Sequence, residues 1–334
     1  MTLCQGPKPP AKKHDEKHDE YFPSRLENEV FRLSSSTLNY DVIGADECDL
    51  YHNSTRIDLY ADYQLYISMM EKYSKAKINF EIDTDDIRLV PSHNHEEVCR
   101  LMDAVLKSSF HESAHLSLTR GGYVEPLLPP LRHPHFCQKK KKMLLDIEYL
   151  VHDFGAICRQ IESTARTVFF DLGASLIFHG GKRNPALSLL DLYRQFGIKF
   201  DHLYAFEYTE MSPLIVYDKI PQELLSSYHW YNVPVKSLPT SRQNPWTSIL
   251  SSFNRQDFVV IKLDIDTPSV EIPLVQELLQ EKYSSLVDHL YFEHHVKMKN
   301  MLKYWGDSAN GTLMDSLELF ARLRETGIAA HSWV

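Results

Sequence analysis

From residue 167 onward, short apolar runs that end in an acid alternate with amphipathic stretches of helical period. Few other features constrain a chain's fold so tightly. Asp257–Asp266 (DFVVIKLDID) is the clearest of the runs. It is too short for a helix of ordinary length and apolar on both faces, which suits a strand covered on both sides. Comparable runs occur at Thr167–Leu172, His202–Glu207, Tyr228–Lys236, Val287–His294 and Gly327–Val334. Helical patterns lie between them at Pro185–Phe196, Val270–Glu281 and Thr312–Arg324. Strands joined through helices make βαβ units, so this part of the chain is expected to be α/β, with a doubly wound, mostly parallel sheet.

The first half reads less sharply. Tyr60–Lys77 and Glu96–Phe110 carry apolar residues at helical spacing, and Met143–Thr164 is expected to be a further helix. Between them, Gly121–Phe136 holds two glycines and four prolines, which excludes regular helix and predicts an ordered loop or boundary. Residues 1–20 write KHDE twice and have no apolar face, so they are expected to form a disordered tail. The expected organisation is therefore a tail over 1–20, a mixed, α-rich region over 21–138 and a Rossmann-like domain over 139–334.

Composition narrows the function classes. Lys+Arg 36 against Asp+Glu 45 leaves a net charge of −9, which lacks the electrostatic footprint of a nucleic-acid binder. No run of 18 apolar residues predicts a membrane span. Five widely spaced cysteines suggest no disulfide framework and a reducing, cytoplasmic setting. Two sequons, at Asn53 and Asn310, matter only in a secretory compartment.

In an open α/β sheet, ligands bind beyond the carboxyl ends of the strands, near the point where the strand order reverses. Here those ends carry Asp171, Glu207, Asp264 with Asp266, and Glu293 with His294 and His295. An acid after the second strand suits a ribose, because a carboxylate accepts from both hydroxyls. Gly173 permits close backbone approach. The turn DLGASLIFHGG lacks GxGxxG, which argues for a ribose-bearing ligand without a pyrophosphate.

Four pieces of this region, VFFDLGAS, YAFEYTE, IKLDIDTPSVE and YFEHHV, together with NVPV at Asn232–Val235, resemble the FkbM-type class I S-adenosylmethionine-dependent methyltransferases over about residues 167–296. The resemblance implies a Rossmann-like methyltransferase fold, with S-adenosylmethionine held by Asp171, Gly173, Ser175, Glu207 and Glu293. It places Asp264, Asp266 and His294 on the reaction side, His294 being the expected base with Asp266 as orienter or alternative base. It implies O-methylation of a small molecule or glycan, with no metal taking part. A catalytically inactive, methyltransferase-like binding or scaffold protein is the alternative. Another is a zinc hydrolase, because His111, Glu112 and His115 spell HExxH, with Glu125 as a conceivable third ligand. His133 and His135 offer a structural metal site, and the oligomeric state is left open.

Overall fold

The computed structural model describes residues 21–52, 57–110, 113–138, 143–175 and 184–334. The expected tail over 1–20 lies outside them, as do Asn53, His111, Glu112 and Gly180–Gly181. A short antiparallel hairpin pairs β1 (Ser117–Thr119) with β2 (Gly122–Val124). Among the described residues the main sheet has six strands: β3 (Thr167–Leu172), β4 (His202–Phe206), β5 (Tyr228–Tyr231), β6 (Phe258–Leu263), β7 (His289–Phe292) and β8 (Ala329–Ser332). Every neighbouring pair is parallel, and the order is β5-β4-β3-β6-β7-β8. The chain starts in the middle, winds outward to β5, then returns to β6 and winds outward on the other side. The switch point lies between β3 and β6.

Side-chain alternation along β3 shows how both faces are covered. Phe169 packs on Phe200, which in turn meets Tyr193 of the helix Pro185–Gln195. Its neighbour Phe170 points the opposite way, to Trp246 and Phe253. Trp246 donates from Nε1 to the Leu274 carbonyl of the helix Pro268–Leu278. β6 is buried along its whole length, as its unbroken apolar run requires.

The N-terminal part shares this core. The helix Ile57–Ile78 and the segment before the helix Phe154–Gln160 are tied together, Tyr73 donating to the His152 carbonyl and Lys77 to that of Leu150. Phe154 stacks on Phe196 at 3.8 Å, and Tyr149 donates to the Ser332 carbonyl of β8. The expected helix over Met143–Thr164 is corrected here, because among the described residues only Phe154–Gln160 is α-helical. Residues 150–152 spend backbone groups on tertiary partners, Val151 N–H on Glu125 among them, and Asp153 caps the shortened helix. Gly121–Phe136 is ordered and deeply buried, contributing Leu127, Leu128, Leu131 and Arg132 to the interior.

The cysteine reading is also corrected. Cys48 is bonded to Cys137, and Cys99 to Cys158. Both pairs are buried and join segments far apart in sequence, which is why spacing alone concealed them. Among the described residues no helix is long and apolar enough to cross a membrane.

Candidate functional site

Beyond the carboxyl ends of β3, β4 and β6 lies a cleft of about 480 Å³, within the size range of small-molecule sites. Its first wall is the turn after β3. Gly173 has φ +88°, and Gly173 and Ala174 both donate to the Phe206 carbonyl at the end of β4. A Cβ on Gly173 would lie 1.7 Å from the Asp264 carbonyl oxygen. The glycine is therefore required first by the close approach of two strand ends and only then by any ligand. Ser175 is exposed on the rim.

The second wall follows β4. Glu207 faces the cleft, half-buried, and its Oε1 accepts from Thr209 N–H at 2.7 Å. Asn232 holds this loop in place, donating to the Glu207 and Thr209 carbonyls and accepting from Met211 N–H. Val233, Pro234 and Val235 supply an apolar surface beside it. Asn232 opens the NVPV segment, but its positioning role rests on contacts with residues 21 to 25 positions away, which the sequence pattern does not reveal.

The third wall is formed by Asp264, Ile265, Asp266 and Thr267. Beneath it, buried Lys262 stands 3.2 Å from Asp171 and 3.4 Å from Asp264, and donates to the Gly173 carbonyl at 2.9 Å. Burial alone would depress the Lys262 ammonium, but the two carboxylates outweigh it and hold its pKa above the ordinary lysine value. Asp171 is thus a partner of Lys262 and does not line the cleft. Burial, with Glu293 and Asp266 nearby, pushes Asp264 up to about 7 against the pull of Lys262. Asp266 has φ +54° and projects its carboxylate into solvent at the cleft.

After β7 the alternation of side chains separates the expected residues. Glu293 turns inward, where Arg132, Trp305 Nε1 and His295 Nε2 all meet its carboxylate. Burial would raise its pKa, yet His295 and Arg132 prevail and hold it at about 2. It is not among the residues that line the cleft, and Arg132 holds it in a buried ion pair. His294 points away as well, stacked on Phe292, with Nδ1 3.1 Å from Ser316 Oγ in the helix Leu313–Glu325. Burial lowers its pKa to about 4. The imidazole that approaches Asp266, at 3.6 Å, is His295. Burial disfavours its protonation, but Glu293, Glu271 and Asp266 outweigh that and raise its pKa. Ligand atoms of Asp266, Glu293 and His295 lie within 4.8 Å of one another, but the Arg132 guanidinium already neutralises Glu293.

A family model described as a domain of unknown function, DUF7870, matches residues 232–334. That stretch includes Asp264, Asp266 and the end of β7, and stops short of the Gly173 turn and Glu207. No curated protein matches the chain. No solved structure matches it either.

The HExxH reading meets a local obstacle. His111 and Glu112 lie outside the described residues, and His115 ends a 3-10 turn just before β1. Glu125, the conceivable third ligand, is buried against His331 at 2.9 Å and accepts from Val151 N–H. His135 pairs with Glu71 and Gln138, while His133 gathers with Asp146 and Glu148.

Proposed function

We propose that the chain is an S-adenosylmethionine-dependent methyltransferase acting on an oxygen of a small molecule or glycan. The observation that carries this reading is the charge of the cleft at the switch point. Its described lining holds three carboxylates, Glu207, Asp264 and Asp266, and no cationic side chain. Such a cleft favours a cationic nucleoside and repels a dinucleotide's pyrophosphate. When bound, S-adenosylmethionine supplies a methyl group already activated on a sulfonium.

What remains for the protein is alignment and charge. Glu207 is placed to accept from ribose hydroxyls, with its backbone held by Asn232. Val233, Pro234 and Val235 offer a dry surface for the base. Lys262 fixes the ends of β3 and β6, and so sets the width of the cleft. Asp266 is the carboxylate free to take a proton from an acceptor hydroxyl, with the His295 imidazole 3.6 Å behind it, its pKa raised by Glu293, Glu271 and Asp266.

One observation favours a second reading, a methyltransferase-like binding protein without catalysis. Neither His294 nor Glu293 faces the cleft, which leaves Asp266 without the histidine base expected beside it there. Calorimetry of the pure protein separates the readings in two steps. Binding of S-adenosylmethionine and S-adenosylhomocysteine, with no heat from NAD, is expected; silence toward all three at millimolar concentration removes the proposal. Binding without methyl transfer to any acceptor in a broad screen would favour the second reading.

A further inference from the structure

We propose that Asn310 carries an N-linked glycan, added while the chain matures in an oxidising secretory lumen. Two independent observations meet here. The first is the pair of disulfides, Cys48–Cys137 and Cys99–Cys158, whose four sulfurs are all in the interior. Buried cystines joining distant segments form where a disulfide-bearing oxidant takes two electrons and two protons from each thiol pair, and they are rare where glutathione and thioredoxin keep thiols reduced. That removes the reducing, cytoplasmic setting expected from cysteine spacing, and with it the reason to disregard the sequons.

The second observation is the geometry of Asn310-Gly311-Thr312. Asn310 is exposed on the turn between β7 and the helix Leu313–Glu325, where its N–H donates to the His295 carbonyl. Its Oδ1 accepts from Gly311 N–H, while Nδ2 donates to no described residue. A glycan on Nδ2 therefore projects into solvent and displaces no packing. Thr312 is the N-cap of the following helix and exchanges hydrogen bonds with Asp315. Its hydroxyl is occupied in the folded protein, so the modification precedes closure of that helix. In the transfer, the Asn310 amide nitrogen attacks the anomeric carbon of a lipid-diphosphate-linked oligosaccharide. A C–N bond forms, the C–O bond to the diphosphate breaks, Nδ2 loses one proton, and the lipid diphosphate leaves.

The test uses the full-length protein isolated from the cells that make it, alkylated without reductant and digested with trypsin. The expected result is an intact glycopeptide spanning Tyr304–Arg322, with Cys48, Cys99, Cys137 and Cys158 unalkylated. Intact glycopeptide masses are needed because an Asn-Gly pair also deamidates without an enzyme. In the same cells Asn310→Gln should lose one endoglycosidase-sensitive gel shift, and Thr312→Ser, which keeps both sequon and cap, should retain it. A fully unmodified Tyr304–Arg322 peptide, a glycan confined to Asn53, or four alkylated cysteines would each overturn the proposal. Direct peptide mapping of the unmutated chain decides the matter even where Asn310→Gln fails to fold.

Discussion

Lys262 on β6 stands 3.2 Å from Asp171 on β3, directly opposite it in the strand register. One buried ammonium thereby ties together the two strands on either side of the switch point, and through Asp264 and the Gly173 carbonyl it reaches the walls of the cleft. The pair is a positioning device, since Lys262 is not part of the cleft lining.

Replacing Lys262 with Met should expose that role. Two carboxylates would be left facing each other with little water, a situation that typically costs about 3–5 kcal/mol. Denaturant unfolding should show the loss, with donor affinity falling in the fraction that remains folded. A change below about 1 kcal/mol would show that the carboxylates find other partners.

Gly173→Ala is expected to damage the same place by a different route. The new Cβ would meet the Asp264 carbonyl at 1.7 Å, and φ +88° is unfavourable for alanine. Strain of this kind costs on the order of 1–3 kcal/mol before the clash is counted. The thermal midpoint should drop, and Gly173→Ser should be no better; a wild-type midpoint for either variant would contradict the strand-end geometry.

Glu207→Gln keeps the acceptor that Thr209 N–H uses and removes the charge. Ribose binding through two charge-assisted hydrogen bonds then loses at least about 1.4 kcal/mol, a tenfold weaker Kd. Folding should change little, because Glu207 faces the cleft. Titration of S-adenosylhomocysteine beside a melting curve checks both halves; an unchanged Kd would falsify the assignment of Glu207 to the ribose.

Asp264 gives a pH signature. Its carboxyl is raised from its ordinary 3.8 to about 7, so it loses its charge as pH falls through 7. The affinity for cationic S-adenosylmethionine should weaken from pH 8 to 6, while that for uncharged-sulfur S-adenosylhomocysteine changes less. For stability the sign is the reverse. The folded state holds this proton more tightly than the unfolded chain, so the Asp264 contribution is lost as pH rises from 3.8 to about 7. Asp264→Asn should flatten both profiles, and parallel pH dependence for the two ligands would rule the charge argument out.

Reduction should destabilise the protein. The cystines close loops with sequence separations of 89 and 59, each worth roughly 4–5 kcal/mol in the chain-entropy estimate, and less than the sum together because the loops interleave. Melting curves with and without reductant should differ by many degrees, with Cys99→Ser accounting for part of the difference. Identical curves would mean that the thiols are unpaired in solution.

The sequence by itself determined the elements of the sheet. Runs such as FVVIKL and TVFFDL are apolar on both faces, and the observed β6 and β3 fall on them, because burial on both sides leaves its mark in consecutive residues. Acids at strand ends were legible for the same local reason, and Glu207, Asp264 and Asp266 do share one cleft. Tertiary structure decided everything that depends on facing. Whether His294 or His295 turns toward Asp266 follows from the two-residue alternation carried on past Phe292, which composition does not encode. Met143–Thr164 has helical spacing, yet most of it is unwound because Glu125, Tyr73 and Lys77 claim its backbone groups. Cystine pairing and the Asp264 contact that requires Gly173 likewise join residues remote in the chain. Local patterns record how a segment meets solvent and core; which distant segment it meets is settled only when the core closes.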